Sequence, residues 1–491
     1  MNTRNAVVIG GGLAGITAAI SLREAGIGVT LLEARPWLGG ATCSFSRGGL
    51  MIDNGQHVFL RCCTSYRELL ARLGVTGSAA LQDRFDVTVL SPGGRARLRR
   101  SGLPGPLHFG RALATYKHLS LPERLRVGRA ALAMRTLDPA KPGLDSERLG
   151  DWLRARGQNE HTRRNLWDLF IVSSLNIHGD DASVPLSATV LKTALLGGND
   201  AADIGIPTVP LGELHGQAAA SLLSRLGAEV RLATKAAAIE PGAGGGLRVR
   251  VTSGRDAADG QDGGEGASGT SITADGVVLA IPPAQAARLA GAAGVTDAAR
   301  WNDLGSSPIV NVHVVYDRRV TRLPFAAAVD SPVQWVFDKT RASGLQTGQY
   351  LAISLSAADS YVDVPTAALR EKFLHALEEL FPAAREARVI DSFVTRERRA
   401  TFRQAPGCVA LRPGAATSMP GLVLAGAWTD TGWPDTMEGA VRSGHTAAEQ
   451  LIQGLAGQAA REPGGAAVAV TRPLGGVAVD STAGSAAGSP S

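Results

Sequence analysis

Three glycines and one acidic residue near the start of the chain have the types and spacing needed to bind a dinucleotide. Gly10, Gly12 and Gly15 form a G-x-G-x-x-G pattern directly after the apolar run 6–9, and Glu33 follows a second apolar run. The glycines allow a tight turn and let the backbone approach a pyrophosphate, whose charge is favoured at the N-terminus of the next helix. The Glu33 carboxylate can accept hydrogen bonds from a ribose 2′-hydroxyl. This context predicts a bound FAD or NAD, and therefore redox chemistry.

The residues after Glu33 distinguish FAD from NAD. The run Glu33-Ala34-Arg35-Pro36-Trp37-Leu38-Gly39-Gly40 resembles the E-x-R-x-x-x-G-G extension of flavoproteins in the amine oxidase and carotenoid desaturase superfamily. Arg35 can neutralise a phosphate, and the glycine pair lets the backbone lie against the cofactor. The resemblance therefore implies FAD.

A second cofactor segment is predicted near the C-terminal end. The apolar run 423–425 ends at Gly426, and the run 437–444, Met-Glu-Gly-Ala-Val-Arg-Ser-Gly, begins a helix. In desaturases the matching segment holds the isoalloxazine and the ribityl chain, and a helix N-terminus there favours the negative charge of the reduced flavin. The relatives carry an acid directly after the strand glycine. Here that position is Ala427, and Asp430 is the candidate substitute.

The most specific block is the run 53–66, Asp-Asn-Gly-Gln-His-Val-Phe-Leu-Arg-Cys-Cys-Thr-Ser-Tyr, together with the run 425–434. Both resemble the squalene-associated FAD-dependent desaturase family, and the resemblance covers about residues 5–455. It implies an α/β fold, with a Rossmann-like FAD-binding domain of the amine oxidase and desaturase type and an inserted α+β substrate domain. It also implies the reduction of hydroxysqualene, a C30 isoprenoid, to squalene with loss of water, in hopanoid biosynthesis.

The residues expected to contact FAD come from these motifs and from one predicted strand, 227–232. They are Gly10, Gly12, Leu13, Ala14, Gly15, Glu33, Arg35, Gly39, Gly40, Asn54, Gly55, Gln56, Val230, Gly426, Asp430, Met437 and Glu438. The histidines and cysteines are scattered without metal-ligand spacing, so no metal site is predicted.

Loss of the allylic hydroxyl would need an acid, because hydroxide is a poor leaving group. His57 and Asp53 lie on the segment expected to pass near the flavin. His57 is the candidate acid, since the pKa of a histidine is close to the working pH. Each residue also has a structural interpretation: His57 could hold the loop or hydrogen-bond the flavin, and Asp53, before Asn54 and Gly55, could hold a turn.

The elements that must position these residues fall into interleaved segments of two kinds. The FAD-binding domain is predicted to comprise three pieces and the substrate domain, which would face the membrane, the two insertions between them. The pieces are 1–85, 204–283 and 407–457 for the first domain, and 86–203 and 284–406 for the second.

Within the first insertion, residues 85–198 are expected to be helices with polar connections. Ser120-Leu121-Pro122-Glu123 predicts a capped helix start. Leucines at 121, 125 and 132 then follow at helical spacing. The stretches 253–271 and 458–491 are rich in small residues and are predicted to be disordered.

Length and composition exclude several classes of protein. A chain of 491 residues favours two domains. A net charge of +6 does not indicate nucleic-acid binding. No signal peptide is predicted, and no run approaches about 20 uninterrupted apolar residues, so no membrane-spanning helix is expected. The four cysteines form no C-x-x-C pair and are expected to be reduced thiols of a cytoplasmic protein.

The segment 95–135 has the composition of a surface that binds anionic lipid. It carries ten Lys and Arg residues and one acid, Glu123, with leucines and aromatic residues between them. Such a segment favours peripheral binding at the inner face of the cytoplasmic membrane, from which a squalene-type substrate would come. The alternative is a solvated, arginine-rich face. Arg97, Arg99 and Arg100 are the residues expected to carry the lipid contact.

Two other functions are compatible with these motifs. A carotenoid desaturase would use the same fold and FAD in the opposite redox direction, and only its products would distinguish it. A non-catalytic isoprenoid-binding protein, like the Rab escort and GDP-dissociation-inhibitor group, is disfavoured by the intact motifs at 10–15 and 437–444, which predict retained FAD. No motif indicates the electron donor.

Overall fold

The protein is described by a computed structural model over residues 4–105, 107–242, 246–253 and 270–459. The stretch predicted to be disordered, 253–271, coincides with the gap 254–269 between two strands, and most of it lies outside the described residues. The predicted tail lies outside them from residue 460 onward.

The strands of the described chain are β1 Asn5–Ile9, β2 Gly28–Leu32, β3 Ser44–Arg47, β4 Leu50–Asp53, β5 Phe59–Leu60, β6 Ala79–Leu81, β7 Asp86–Ser91, β8 Gly94–Arg99, β9 Ile204–Pro207, β10 Glu229–Arg231, β11 Thr234–Pro241, β12 Leu247–Ser253, β13 Thr270–Ala274, β14 Gly276–Leu279, β15 Ser307–Tyr316, β16 Phe325–Ala328, β17 Trp335–Asp338, β18 Gln349–Leu355, β19 Val389–Thr401 and β20 Leu422–Leu424.

The α-helices of the same residues are α1 Leu13–Glu24, α2 Thr64–Leu73, α3 Gly110–Ala114, α4 Leu121–Thr136, α5 Leu149–Arg154, α6 Glu160–Thr162, α7 Asp168–Leu175, α8 Val184–Val190, α9 Ala218–Arg225, α10 Pro283–Ala292, α11 Thr340–Ser343, α12 Thr366–Leu380, α13 Cys408–Leu411 and α14 Met437–Ala459. Wider π-helical turns occupy Arg163–Trp167, Leu191–Leu195 and Gly212–Gln217. Short 3₁₀ turns occupy Thr76–Ser78, Leu107–Phe109, Leu144–Ser146, Gly179–Asp181, Ala298–Leu304, Ala358–Ser360 and Pro382–Glu386.

A five-stranded parallel sheet in the order β10-β2-β1-β14-β20 is the centre of the dinucleotide-binding half. Its strands come from three separated parts of the chain, since β10 and β14 follow the first insertion and β20 follows the second. Helices α1 and α14 cover it and contact each other. Parallel strands buried on both faces explain why their sequences are continuous apolar runs. The predicted α/β fold of the Rossmann type is confirmed.

The second half contains a seven-stranded sheet in the order β19-β15-β18-β17-β16-β7-β8. Both insertions contribute to it, because β7 and β8 precede β15–β19 by about half the chain. The expectation that 85–198 is helical is wrong for its first fifteen residues, which form the β7–β8 hairpin. The alternation of buried Val87 and Val89 with half-buried residues, and of buried Ala96 and Leu98 with exposed ones, is the period-two signal that the prediction overlooked. The domain boundaries stay a prediction.

Two smaller sheets connect the halves. The hairpin β3–β4 occupies 44–53, where the sequence suggested only a loop, and β5, β6 and β9 form a short antiparallel sheet. Strand β4 ends directly before the segment 54–58, and strand β5 begins directly after it. The most family-specific part of the sequence is therefore held at each end by strand pairing.

Helices α1 and α14 approach each other through Gly444. A Cβ on Gly444 would lie 2.4 Å from the carbonyl oxygen of Ala14 and 2.7 Å from the Cβ of Thr17. The last glycine of the C-terminal motif is therefore required by helix packing, whatever the flavin contacts of the motif are.

Substitution of Gly444 by Ala tests this contact. We expect the free energy of unfolding to fall by about 1–3 kcal/mol, because the added methyl group must displace backbone atoms. Gly454 is the matched control: it is exposed on the same helix, and a Cβ there would meet nothing within 4 Å. Gly454→Ala should leave stability unchanged or raise it by up to about 1 kcal/mol. Equal effects of the two substitutions in chemical denaturation would contradict the close approach.

Candidate cofactor site and substrate cavity

The first predicted motif forms the turn from β1 into α1. Gly10 has a φ of +109°, and a Cβ there would lie 2.2 Å from the carbonyl oxygen of Ala280. A Cβ on Gly15 would lie 1.9 Å from the carbonyl oxygen of Gly10, so both positions require glycine. The helix begins at Leu13 with Gly12 as its N-cap, and no side chain caps it. Its first turn therefore presents backbone N–H groups to an anion.

Glu33 holds this turn from the end of β2. Its side chain is buried, and its carboxylate accepts hydrogen bonds from the backbone N–H of Gly11 at 2.7 Å and of Arg35 at 2.8 Å. The acid thus fixes the glycine turn and the start of the extension relative to each other. Its predicted contact with a ribose lies at the same carboxylate.

The glycine pair of the extension lies against the first turn. Gly39 forms a parallel bridge with Gly12, and a Cβ on Gly40, whose φ is +58°, would lie 2.8 Å from the Cα of Gly12. Arg35 is exposed, and its guanidinium donates to the carbonyl oxygen of Gly40 at 3.3 Å. The glycine motif at 10–15 and the glycine pair at 39–40 therefore form one continuous backbone surface.

Two of the predicted FAD contacts lie further from these loops. Val230 pairs with Leu31 within the parallel sheet, and its side chain packs on the apolar cluster that includes α1. Asp430 is exposed, and its carboxylate accepts a hydrogen bond from the backbone N–H of Gly432 at 3.2 Å. Asp430 thus stabilises its own turn, and its role as a substitute acid stays a prediction.

The loop after Gly426 is organised by an arginine that the sequence did not single out. Arg412 is buried, and its guanidinium donates to the carbonyl oxygens of Ala427 at 3.0 Å and of Thr429 at 2.5 Å. Burial lowers the pKa of Arg412, while Asp430 and Asp435 oppose that shift. No local motif could reveal this role, because the residue and the loop meet only in the folded chain.

Glu438 joins the C-terminal motif to the segment 53–66. Its buried carboxylate accepts hydrogen bonds from the backbone N–H groups of Ser65 at 3.2 Å and Tyr66 at 2.8 Å, and it pairs with Arg442 at 2.7 Å. It therefore caps helix α2 from the side. Its neighbour Met437 lines the cavity described below.

Asp53, in the family-specific segment, has three polar partners. Its Oδ1 accepts hydrogen bonds from the hydroxyl of Ser44 at 2.6 Å and the backbone N–H of Leu211 at 2.9 Å. Its Oδ2 lies 2.8 Å from the Nζ of Lys339, and both side chains are almost fully buried. Lys339, which follows β17 in the second half of the molecule, was not predicted from the sequence. The pair joins the cofactor half to the large sheet.

The residues after Asp53 form the loop itself. Asn54 is buried, donates to the carbonyl oxygen of Ala41 at 2.8 Å and accepts from the backbone N–H of Cys43 at 3.2 Å. A Cβ on Gly55 would lie 3.2 Å from the Nε2 of His57, so the imidazole folds back over the loop. The Nε2 of Gln56 is buried and has no hydrogen-bond partner among the described residues.

These features fit an extended polar cofactor. The Gly12–Gly40 surface has no side chain, the first turn of α1 offers N–H groups, and the amide of Gln56 has an unused donor at the cavity. Bound FAD would satisfy such groups, which are otherwise costly to bury. The first motif, the extension and the loop 54–57 are brought together in the structure.

The environment of His57 makes its imidazole less basic. Burial lowers the pKa of His57, the nearby Lys339 lowers it further, and Asp53 opposes both. The side chain nevertheless keeps some exposure, and it stands between two cavity-lining residues, Gln56 and Val58. The neutral form of His57 is thereby favoured near pH 7.

An apolar cavity of about 200 Å³ lies between the loop 56–63, the start of α14, the large sheet and the helical region around α7 and 190–195. Seven aromatic residues line it, although aromatic residues make up only 5% of the chain. They are Phe59, Phe85, Phe170, Phe325, Trp335, Phe337 and Trp433. Its one charged lining residue, Glu438, already pairs with Arg442. The cavity therefore suits a hydrocarbon better than an amine.

Two further residues, Trp428 and Asn176, have structural roles. Trp428 is buried and donates to the carbonyl oxygen of Ile281 at 3.0 Å, so it packs in the core, whereas Trp433 faces the cavity. Asn176 ends α7, donates to the carbonyl oxygen of Ser307 at 3.0 Å and accepts from the N–H of Ala357 at 2.7 Å. Within the described residues, no cluster could hold a metal ion.

Comparison with known proteins agrees with this architecture. Residues 13–452 match the family described as flavin containing amine oxidoreductase. The chain belongs to this family. It is therefore an FAD-dependent oxidoreductase, and the predicted FAD cofactor is confirmed.

The chain is also similar to individual proteins of known name. It is 30% identical over 455 residues to a hydroxysqualene dehydroxylase of Rhodopseudomonas palustris, covering 91% of this chain and 97% of the relative. It is 24% identical to a zeta-carotene desaturase of Synechocystis sp., covering 91% and 96%. Cyclohexylamine oxidase of Brevibacterium oxydans has the same fold, with a TM-score of 0.67, 19% identity and coverage of 92% and 99%. The resemblance to the squalene-associated family is confirmed.

The buried Asp53–Lys339 pair can be tested by removing its cation. Lys339→Met should lower the free energy of unfolding by about 3–5 kcal/mol, because it leaves a buried carboxylate without its partner. The double variant Asp53→Asn/Lys339→Met should lose less than the sum of the single variants. Arg398→Met, which removes one partner of an exposed pair with Asp363, is the control and should cost less than about 1 kcal/mol. Similar losses of stability for Lys339→Met and Arg398→Met would contradict the assignment of Asp53–Lys339 as a stabilising buried pair.

Proposed function

We propose that the oxidoreductase is a hydroxysqualene dehydroxylase, which reduces hydroxysqualene to squalene with loss of water in hopanoid and squalene biosynthesis. The observation that carries the proposal is the 30% identity to the Rhodopseudomonas palustris relative along almost the whole of both chains. The cavity supports it, because a largely aromatic and apolar wall suits a C30 hydrocarbon chain.

The reaction divides between the cofactor and the chain. The allylic C–O bond breaks with its electron pair going to oxygen, and the oxygen takes up a proton and leaves as water. When bound, reduced FAD supplies the hydride that completes the new C–H bond. Gly12, Gly40 and the N-terminus of α1 would hold the dinucleotide, while Gln56 and Met437 stand where the cavity meets the loop.

We assign the proton to His57, with Asp53 and Lys339 as residues that position it. His57 lies in the chain between the cavity-lining residues Gln56 and Val58, and the buried ion pair near it fixes the start of the loop. Because the pKa of His57 lies below its usual value, the imidazolium must form during the catalytic cycle, and acid pH should favour it.

A carotenoid-type desaturase is the second candidate, and the 24% identity to the zeta-carotene desaturase of Synechocystis sp. favours it specifically. It would run with oxidised FAD and remove hydrogen from a polyene. The same apolar cavity would serve both substrates, so the products distinguish the two functions.

An anaerobic single turnover tests the proposal. The holoenzyme is reduced, mixed with hydroxysqualene and followed by flavin absorption, and the lipid is then extracted. We expect the oxidised flavin band to return with one equivalent of squalene per flavin. Reduced flavin together with recovered hydroxysqualene would overturn the dehydroxylase proposal, and zeta-carotene with oxidised holoenzyme is the corresponding test of the second candidate.

The pH dependence tests the role of His57. Because its pKa is lowered, the protonated fraction falls as pH rises through a value below 6.5, so kcat/KM for hydroxysqualene should already be falling below pH 6.5 and should fall further toward neutral pH. His57→Gln should remove that decrease and lower the rate by about 10²–10⁴-fold. His375→Gln, which alters an exposed histidine on α12, should keep the wild-type profile. An unchanged profile in His57→Gln would exclude His57 as the acid.

A further inference from the structure

Five leucines between residues 103 and 132 are more than half exposed. Their exposed fractions are 52% for Leu103, 61% for Leu107, 65% for Leu121, 65% for Leu125 and 60% for Leu132. Among the large apolar side chains of the described residues, only Ile390, at 54%, is comparably exposed. A concentration of exposed leucines in one segment marks an interaction surface.

Helix α4 carries three of these leucines on its outer face. Leu121, Leu125 and Leu132 recur at helical spacing and point away from the protein, while the inner face consists of smaller or unbranched side chains such as Ala130 and Met134. The leucine pattern in the sequence would normally indicate the buried side of a helix. Here the helix is inverted relative to that expectation, and its most apolar stripe faces outward.

The charge around these leucines is uniformly positive. Five exposed basic residues between 111 and 135 have no acidic partner within 4 Å among the described residues: Arg111, Lys117, Arg126, Arg129 and Arg135. The one acid, Glu123, is buried at the N-terminus of α4, where its carboxylate accepts hydrogen bonds from the backbone N–H of Ser120 at 2.8 Å and from Asn159 at 2.9 Å. It does not neutralise the surface.

The structure corrects which arginines could contact lipid. Arg97 and Arg99 pair with Asp86, and Arg100 pairs with the buried Asp203 at 2.7 Å. Arg97 and Arg99 share the single carboxylate of Asp86, because the β7–β8 hairpin places them opposite that acid. Among the basic residues of 95–135, the exposed ones without an acidic partner are Arg95, on β8, and the five at 111–135.

The same segment forms the outer layer over the cavity. The inner face of α4 contacts the π-helical turn Leu191–Leu195, and the Nζ of Lys192 donates to the carbonyl oxygen of Leu137 at 2.5 Å. Thr193, Ala194 and Leu195 of that turn line the cavity. A partner seated on the outer face of α4 is thus separated from the cavity by two layers of helix.

We propose that this leucine–arginine face, formed by the five exposed leucines and the five unpaired basic residues, docks on an anionic lipid bilayer. The leucines would enter the boundary between headgroups and acyl chains, and the basic residues would lie among the phosphates. Leucines dispersed among cations match an interfacial helix, whereas a protein interface has an apolar centre with a polar rim. In the described part of the chain, no helix is long and apolar enough to cross a bilayer.

The docking surface is independent of the reaction, but its consequence rests on the proposed function. A bilayer on this face would bring a membrane-dissolved isoprenoid to the wall of the cavity. Lipid docking and substrate chemistry can therefore be tested separately.

The test is binding of the full-chain holoenzyme to vesicles of phosphatidylcholine with and without phosphatidylglycerol, measured by co-sedimentation without substrate. We expect binding to the anionic vesicles that weakens with salt. Arg126→Glu/Arg129→Glu should reduce the partition coefficient by at least about tenfold, and Leu121→Ser/Leu125→Ser should reduce it similarly. The matched controls are Arg97→Glu/Arg99→Glu, at the paired arginines, and Ile390→Ser, at an exposed apolar residue elsewhere. Both should bind as the wild type does.

Three outcomes would overturn the docking surface: no binding of the wild type, equal binding of all variants, or loss of binding in the control pair alone. The competing occupant of this face is a second copy of the chain. Sedimentation in the absence of lipid would then show a dimer, and the leucine variant would abolish it.

Turnover separates this inference from the proposed function. The leucine variant should convert hydroxysqualene normally in detergent micelles and lose activity only when the substrate is embedded in vesicles. A wild type that binds vesicles but forms no squalene would refute the proposed reaction and leave the docking surface intact. A leucine variant that loses both vesicle binding and activity in detergent would indicate a folding defect, which circular dichroism and flavin content would identify. In that case the vesicle binding of Arg126→Glu/Arg129→Glu tests the docking surface.

Discussion

The buried carboxylate of Asp53 is the interaction on which the arrangement of the site depends. It binds Ser44 of the β3–β4 hairpin, the backbone N–H of Leu211 and the ammonium of Lys339. These three partners belong to separate parts of the chain, and one of them, Lys339, directly follows strand β17 of the large sheet. A buried charge must be fully paired, so the carboxylate fixes all three partners at once. The loop 54–57 begins from that fixed point.

Backbone proximity supplies the second constraint. The glycine turn of β1–α1, the extension at 39–40 and the helix pair α1–α14 all meet without intervening side chains. This leaves a smooth backbone surface with free N–H groups, on which a long anionic cofactor can lie. Glu33 and Arg412 then hold the adjoining loops through hydrogen bonds to backbone groups.

The substrate side follows a different principle, because the long apolar chain of the proposed isoprenoid substrate offers almost no groups to hydrogen-bond. The cavity selects by shape and apolar contact, and its aromatic lining comes from both the helical region and the large sheet. The outward leucines of α4 extend this character to the protein surface. A hydrophobic substrate, an apolar cavity and a cationic, leucine-bearing face form a consistent set around one wall of the second half.

The sequence by itself determined the dinucleotide turn, the FAD extension, the family and the capped start of α4, because each depends on local spacing or on backbone geometry that glycine alone permits. Only the tertiary structure decided the partners of Asp53 and Glu438 and the role of Arg412. It also decided that Arg97 and Arg99 pair with Asp86, and which face α4 turns outward. These depend on which distant segments meet. A helical leucine stripe has the same pattern whether protein or lipid covers it, so the sequence could not distinguish the two.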